Sequence, residues 1–531
     1  MAWKSLSQTW HYVEKWAAER PGAEAVVFEE SRLTWADLKK ETDKVALSLL
    51  EIGVEKGDRV AFLAMARPEF LTSYMAAGKV GAVWMGMNPK FTMDELRYQI
   101  GDSRPKVLIA LRRFLDNDLG EGIRALAGEF PFIRKILILG DPIAGAESFL
   151  DFTGKARDHL LPELDRRAAS VSGNDEALLM YTSGSTGKPK GVVHTHRSIV
   201  ENIKVEVQKF YIHPGSRVLL HFPVNHVAAD VEIGFGSIMA GACLVCMDKF
   251  DPVETLRMIQ KEKLTFLGQL PVMFLLEMQQ PLFKETDMSS IEVFAWAGAK
   301  APEVLVRALA AICSRTGARM ITGYGSTEVC GFVTYTEPGD SLDTLILTAG
   351  KAPPPFELKI VDEDGNELPD GNVGEIAVRG PILFKGYLNK PEETAKVMDK
   401  DGWYLTGDLA CRDGRGYICI TDRKTDMYKT GGENVYPREI EDILESHAGV
   451  VFAAVVAAPD DIFQEVGWAF IMQKPGQEIS EEGLREYCKT RLANFKVPKR
   501  FFIRPLLPLL PTGKVNKMAL KQEVKAMTGR S

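Results

Sequence analysis

The sequence predicts an α/β protein. A large N-terminal region of parallel-sheet α/β subdomains carries a β-rich subdomain, and a small mobile α+β C-terminal domain follows. Three observations predict it. Short apolar runs alternate with helix-period segments up to about residue 420, the pattern of parallel strands covered by helices. After about Gly350 the runs turn into half-exposed alternation with Asp-Gly turn signals. Beyond Arg423 a proline-opened helix, a strand and a second helix follow a polar connection.

The elements are justified in order. Met1 to Pro21 mixes Trp3, Trp10, Val13 and Trp16 with Lys4, Glu14, Lys15 and Arg20. It has no continuous apolar core, so it is no secretory signal and is expected to be an amphipathic helix packed on the domain. Val60–Met65 and Lys106–Ala110 have the composition of buried strands, and Thr72–Val80 and Met93–Ile100 of helices. The alternation returns at Arg217–Phe222, Ala242–Met247 and Phe294–Trp296. Leu358–Val361 and Gly374–Arg379 alternate as strands around the turn signals Asp364-Gly365 and Asp370-Gly371. Gly416–Thr421 is a further strand. Pro437–Ser446 reads as a helix, Val450–Ala458 as a strand and Ser480–Ala493 as a helix. These readings divide the chain into residues 1–422 and 423–531, with a boundary that permits inter-domain motion.

Composition narrows the function classes. The 531 residues are 45% hydrophobic and 26% charged, which excludes a disordered chain and supports more than one core. The net charge of −7 argues against a general nucleic-acid binder without excluding a local phosphate pocket. No run approaches the roughly 20 apolar residues of a membrane-spanning helix. The seven cysteines are scattered. Cys243 and Cys246 have CxxC spacing, but on a strand they face opposite sides. They are expected to be core cysteines of a reducing, cytoplasmic compartment.

The segment Tyr181-Thr-Ser-Gly-Ser-Thr-Gly-Lys-Pro-Lys-Gly191 carries the chemistry. The apolar run Ala177–Met180 feeds it as a strand. Its glycines let backbone N–H groups converge on phosphate oxygens, and its hydroxyls and lysines add donors and positive charge. It is not a Walker A loop, because Gly184 and Gly187 are three apart and Pro189 follows Lys188. Pro189 and Lys190 suggest a loop closing over a ligand rather than a helix N-terminus.

At this string the sequence resembles the adenylate-forming superfamily, in its AMP-forming acyl-CoA synthetase branch of fatty-acid and aromatic-acid CoA ligases. Further segments carry the resemblance in family order. They are Thr322-Gly-Tyr-Gly-Ser-Thr-Glu328, Gly374-Glu-Ile-Ala-Val-Arg-Gly380, Tyr404-Leu-Thr-Gly-Asp408, Asp422-Arg423 through Lys429 and Gly432, and Pro511-Thr-Gly-Lys514. The resemblance implies two half-reactions: a carboxylate attacks the α-phosphate of ATP, and the thiol of coenzyme A then displaces AMP. It implies that Thr182, Ser183, Gly184, Ser185, Thr186, Gly187 and Lys190 hold the β- and γ-phosphates. Glu328 takes Mg2+, a hard cation that prefers oxygen, and Thr327 bonds the α-phosphate. Thr322, Gly323, Tyr324 and Gly325 border the adenine, Asp408 and Arg423 the ribose, with Gly298, Ala299 and Lys300 also among the binding residues. Lys514 neutralises charge during adenylation. The last domain then rotates to present Lys429, Thr430, Gly431 and Gly432 to the thiol. Thr425 occupies the pivot, where relatives usually carry Asp or Lys.

Phe222-Pro-Val-Asn-His226 resembles the FPxxH segment of acyl-CoA synthetases. His226 is expected to gate the carboxylate end of the acyl pocket. Asp230, four residues on, would share that face of a helix. Trp296 and Ala297 would form the opposite wall and shorten the pocket if both face inward. The expected substrate is a short, medium, cyclic or aromatic acid. A stand-alone adenylation enzyme loading an acyl carrier protein is the main alternative. A luciferase-like monooxygenase and a catalytically dead binding protein are further rivals. The protein is expected to be a monomer or homodimer with small-molecule partners: the acid, ATP and CoA.

Overall fold

The computed structural model describes residues 6–182, 189–474, 476–510 and 515–529. Among them, four sheets of four or more strands carry the chain. Two are eight-stranded and mostly parallel, as the alternation of apolar strands and helices requires.

One eight-stranded sheet is built on Val83–Met87, Arg59–Leu63, Val107–Leu111 and Lys135–Leu139, all parallel. Its other side continues through Glu176–Thr182 and Lys190–Thr195. The second contains Val293–Trp296, Phe266–Gln269, Arg217–Leu220 and Cys243–Cys246, again parallel. Glu24–Phe28 joins this second sheet beside Cys243–Cys246, with Ser31–Thr34 paired on its outer side, so an early hairpin completes a sheet whose remaining members come far later in the chain. The antiparallel pair Arg319–Ser326 and Gly331–Tyr335 forms its far edge. Both sheets are therefore parallel at the centre and antiparallel at the edge that carries a glycine-rich motif.

The two sheets meet at a backbone contact. A Cβ built on Gly86 would overlap the carbonyl of Val224. Gly86 thus admits the Phe222–His226 segment against the neighbouring sheet. The surrounding core, with Phe62, Phe70, Tyr74 and Trp84 in mutual ring contact, is fully buried.

Glu357–Val361, Gly374–Arg379, Tyr404–Arg412 and Ile418–Arg423 form an antiparallel four-stranded sheet. Beyond it, Tyr428–Thr430, Glu433–Val435, Val450–Asp460, Gln464–Gln473 and Arg500–Arg504 form the last sheet. Pro437–Glu445 and Glu481–Lys489 cover one of its faces, and Lys517–Thr528 helps cover the other. This unit has its own apolar clusters.

Two helices are shorter than the sequence suggests, and the core placement of Cys243 and Cys246 holds. The N-terminal helix runs over His11–Glu19 and ends before Pro21, with Trp10 and Trp16 buried; Met1–Ser5 lie outside the described residues. The helix expected to reach Ala493 is shorter, Glu481–Lys489, and is capped by the Ser480 hydroxyl. The chain then turns so that Leu492 and Val497 reach the core. Cys243 and Cys246 are both buried thiols, and they belong to apolar clusters on opposite faces of their strand.

Gly86→Ala is expected to destabilise the protein by about 1–3 kcal/mol, because a backbone carbonyl cannot move aside as a side chain can. Urea unfolding monitored by tryptophan fluorescence measures it.

Candidate active site

The strands on either side of the glycine-rich string pair with each other. Glu176–Thr182 pairs antiparallel with Lys190–Thr195, with Thr182 opposite Lys190. The chain enters a strand at Lys190 rather than a helix, in keeping with the Lys-Pro-Lys sequence. Ser183, Gly184, Ser185, Thr186 and Gly187 lie outside the described residues, as does Lys514. Tyr181, just before the loop, donates to Asp102 Oδ2 at 2.7 Å, and Tyr98 donates to the Pro189 carbonyl at 2.8 Å. Both flanks of the loop are therefore anchored.

Two sets of contacts, one from Lys190 to Glu328 and one from Tyr324 to Arg423, meet in the Thr322–Glu328 motif. Lys190 Nζ lies 2.8 Å from Glu393 Oε2 and 4.9 Å from the centre of the Tyr387 ring. The lysine pushes the Glu393 carboxyl down to about 2. Tyr387 Oη donates to Glu328 Oε1 at 2.9 Å, and the Glu328 carbonyl accepts from the Phe384 amide at 2.8 Å. Tyr324, four residues before Glu328, donates its hydroxyl to Asp408 Oδ2 at 2.6 Å. Arg423 Nε meets Asp408 Oδ1 at 2.9 Å. Asp408 and Arg423 stand opposite each other on neighbouring strands, so the sheet register creates this pair. Segments distant in sequence thus converge on one polar surface of lysine, carboxylates, phenols and guanidinium.

The glycines of the Thr322–Glu328 motif have a backbone reason. A Cβ on Gly323 would overlap the Thr334 carbonyl, and one on Gly325 would overlap Gly331. The close approach they permit is that of the partner strand. Thr322 Oγ1 donates to the Trp296 carbonyl at 3.0 Å. The hydroxyl of Ser326 is buried without a partner among the described residues, a donor in the wall beside Thr327.

Two buried residues that sequence reasoning missed hold this motif from behind. His194 Nε2 lies 2.7 Å from the Thr327 carbonyl, and Nδ1 lies 3.1 Å from Ser198 Oγ. Because a carbonyl only accepts, Nε2 carries the hydrogen. Burial pushes this imidazole down to about 4, so it is neutral at neutral pH. Asn202 donates to the carbonyls of Val329 at 2.9 Å and Phe332 at 3.0 Å. The two project from Lys190–Thr195 and from the capped helix His196–Lys209 that follows it. The nearest sequence signal was polar residues at helix-period positions, Ser198, Asn202 and Glu206, on a face that is otherwise apolar.

His226 sits just ahead of a π-helix, Ala228–Phe235. Its Nδ1 accepts from the Ala228 amide at 3.2 Å, and its carbonyl accepts from the Asp230 amide at 3.1 Å. Asp230 is fully buried with neither carboxylate oxygen bonded among the described residues, and burial holds its pKa well above the usual carboxylate range. Glu232, two residues on, is half-buried. The expected Trp296–Ala297 wall is corrected. Adjacent strand residues face opposite sides, and Trp296 packs with Phe274 and Phe294 in the cluster beneath the sheet, whereas Ala297 packs against the other core. The indole bulk does not share the side of the sheet that Ala297 faces.

Gly298 has a positive φ, and Ala299 and Lys300 beside it are exposed. Lys300 Nζ bonds Asp442 Oδ2 at 2.6 Å, which ties this loop to the Pro437–Glu445 helix. At the start of the last unit, Asp422 accepts from the amides of Arg423 at 2.7 Å and Arg438 at 2.8 Å. The Thr425 carbonyl accepts from Lys521 at 3.2 Å. Gly431 and Gly432, both at positive φ, form the two-residue turn between Tyr428–Thr430 and Glu433–Val435. Lys429 is exposed, and open space surrounds Gly432.

Residues 13–388 match the family model described as AMP-binding enzyme, and residues 439–514 match its C-terminal domain. The chain belongs to the AMP-binding enzyme family. The relatives of this family member include the putative acyl-CoA synthetase YngI of Bacillus subtilis, 32% identical over 97% of this chain and 96% of the relative. The long-chain-fatty-acid–CoA ligase FadD13 of Mycobacterium tuberculosis is 34% identical over 93% of this chain and 94% of its own. Among solved structures, the anthranilate CoA ligase AuaEII in complex with anthranoyl-AMP superposes with a TM-score of 0.88 at 26% identity, covering 98% of each chain. The AMP-binding enzymes resembled here are adenylate-forming acyl-CoA synthetases and ligases, and this chain has their fold and their acid–thiol ligase class.

His194→Ala is expected to leave the Thr327 carbonyl with the Cys330 amide alone, costing about 0.5–1.5 kcal/mol of stability for the lost hydrogen bond. It is also expected to lower the rate of acid-dependent ATP–pyrophosphate exchange. A thermal melt and an exchange assay check the two effects.

Proposed function

We propose that this protein is an AMP-forming acyl-CoA synthetase. It would convert a carboxylic acid, ATP and CoA to acyl-CoA, AMP and diphosphate through an acyl-adenylate. The observation that carries this reading is that the single motif Thr322–Glu328 joins two sets of contacts, Lys190–Tyr387–Glu328 at one end and Tyr324–Asp408–Arg423 at the other. It offers one cation at the triphosphate end, a hard oxygen ligand in the middle and a carboxylate–guanidinium pair at the ribose end.

In this reading Asp408 accepts from the ribose hydroxyls, in place of one of its present partners. Thr327 and Ser326 donate to the α-phosphate, and Lys190 exchanges Glu393 for phosphate oxygens. The residues fit Mg2+ through Glu328, with phosphate oxygens supplying further ligands; the ion would neutralise phosphate charge. The carboxylate attacks the α-phosphorus and diphosphate leaves. Lys514 is placed by its motif to balance the charge that gathers there. The Lys300–Asp442 contact must open if the last domain, residues 423–531, is to turn about Thr425. Lys429, Gly431 and Gly432 then come to the site, where the open space at Gly432 admits the narrow pantetheine arm. His226 would border the reacting carboxylate, and Asp230 a polar part of the acyl pocket.

The acid is proposed to be compact: short, medium, cyclic or aromatic. Ala297 supports this, but the Trp296 side chain does not. Seven free cysteines and no described helix long and apolar enough to cross a membrane are in keeping with a cytoplasmic enzyme. CoA as the acceptor is favoured over a carrier protein by the named activities of relatives, which include a feruloyl-CoA synthase at 32% and an indoleacetate–CoA ligase at 30% identity.

Diphosphate release across a panel from acetate through aromatic acids to palmitate, with and without CoA, tests the proposal. Turnover of at least one acid that requires CoA is expected. Acid-dependent exchange with no thioester formed would point to carrier loading instead. Lys514→Ala is expected to cut adenylation by about 100-fold or more while sparing thioester formation from supplied acyl-AMP. A Gly432→Leu variant is expected to do the reverse, and equal loss of both steps in both variants would refute the two-position account.

A further inference from the structure

Cys411 and Cys419 stand directly opposite each other on the antiparallel strands Tyr404–Arg412 and Ile418–Arg423. The turn beside them pins that register. The Asp413 amide donates to the Tyr417 carbonyl at 2.9 Å, and Asp413 Oδ1 accepts from the amides of Arg415 and Tyr417, both at 2.9 Å. Directly opposed residues of an antiparallel pair share a face, with Cα atoms about 4.5–5.5 Å apart. A disulfide spans Cα separations of about 4.4–6.8 Å. The two sulfurs can therefore bond without a shift of either strand. Cys243 and Cys246 have the CxxC spacing but belong to clusters on opposite faces of their strand.

Accessibility sets this pair apart from the other cysteines. Cys243, Cys246, Cys330 and Cys488 are buried. Cys313 is half-buried on the helix Glu303–Thr316 and packs against an apolar cluster. Cys411 and Cys419 are both half-buried, and their chain neighbours Ala410 and Ile418 are the residues that enter the core. Adjacent strand residues point to opposite faces, so both thiols leave the face away from that core. Burial, the Cys411 sulfur and Asp413 push the Cys419 thiol up to about 11. Cys419 thus keeps its proton beside Cys411, which makes Cys411 the attacking sulfur and Cys419 the resolving one.

We propose that Cys411 and Cys419 are a redox-active dithiol, a modification site that hydrogen peroxide closes to a reversible disulfide across the two strands. The Cys411 thiolate attacks one peroxide oxygen. An S–O bond forms, the O–O bond breaks, and the other oxygen leaves as water with a proton. Cys419 then gives up its proton and attacks the Cys411 sulfur. The S–S bond forms, the S–O bond breaks, and a second water leaves. The two sulfurs together lose two electrons, the peroxide gains them, and the two thiol protons end in the two waters. A dithiol reductant reverses the bond by exchange. In a reducing compartment such a bond is transient and forms when peroxide rises. It joins the strand that carries Asp408 to the strand that carries Arg423.

Peptide mapping tests this. The full-length protein is reduced, freed of reductant, exposed to hydrogen peroxide, alkylated in denaturant and digested with trypsin under non-reducing conditions. Cleavage after Lys400, Arg412, Arg415 and Arg423 leaves Cys411 in peptide 401–412 and Cys419 in peptide 416–423. The monomer is expected to yield these two peptides as one linked species before the other five of its seven cysteines lose alkylation. Dithiothreitol is expected to return both thiols. In Cys419→Ser, which lacks the resolving thiol, dimedone is expected to tag the Cys411 sulfenic acid at least about 10-fold more than it tags Cys419 in Cys411→Ser. Separate recovery of the two peptides at peroxide levels that oxidise the other cysteines would overturn the proposal. So would a link formed only between two chains, or one that joins other cysteines in preference to this pair. Equal tags in the two variants would overturn the order of attack. None of these readouts uses turnover, so the inference stands or falls apart from the ligase reading.

Discussion

The candidate site depends on the contact between the helix His196–Lys209 and the back of the strand pair Arg319–Ser326 and Gly331–Tyr335. The turn between those strands holds Thr327 and Glu328, and the Thr327 and Val329 carbonyls point away from the site. The Cys330 amide reaches the Thr327 carbonyl, and any acceptor left bare in the interior would carry a desolvation cost. His194 and Asn202 supply the donors. With the carbonyls fixed, the front of the turn can offer Tyr324, Ser326, Thr327 and Glu328 as a group. The neutral state of His194 matters to this, because a protonated ring would bring an unbalanced charge into the core.

The same logic of backbone proximity recurs where the sheets touch. Gly86 admits the Phe222–His226 segment, and Gly323 and Gly325 admit the strand Gly331–Tyr335. None of these glycines needs a ligand to account for it. They set the distance between the nucleotide motif and the segment that leads into the π-helix. Gly331 likewise lets the Glu206 and Glu232 side chains pack directly against the backbone.

Much of the fold was legible because local pattern and burial agree. Gly374–Arg379 forms the expected strand with the expected ends, and Pro437 opens the expected helix. The entry of Glu24–Phe28 into a sheet completed by Cys243–Cys246 was not legible, since pairing over that separation leaves no local mark. The polar motifs named Lys190, Tyr324, Glu328, Asp408 and Arg423, and the structure brings these onto one surface. The motif residues Ser183 to Gly187 and Lys514 lie outside the described residues. Tyr387, which joins Lys190 to Glu328, and Glu393, which pairs with Lys190, were missed because an aromatic and a surface glutamate carry no signal on their own. Trp296 misled because a bulky residue next to a small one suggests a narrowed pocket, whereas strand alternation sends the two to opposite sides. Asp230 drew attention through helical spacing, but the element there is a π-helix, and Glu232 is the acid that meets Gly331.

The last unit is tied to the rest by polar contacts of modest strength. Lys300 bonds Asp442 across from the Gly298 loop, and Lys424 bonds Glu375. Such contacts are individually weak when exposed, which suits a domain proposed to move. Asp408, held between Tyr324 and Arg423, is the proposed anchor for the nucleotide. Calorimetric titration of AMP into the wild type and Asp408→Asn tests it most directly. The account predicts binding weakened by roughly 10- to 100-fold, the value of one or more hydrogen bonds to a charged group. Equal affinity in the two proteins, with Asp408→Asn still folded by its thermal melt, would contradict it.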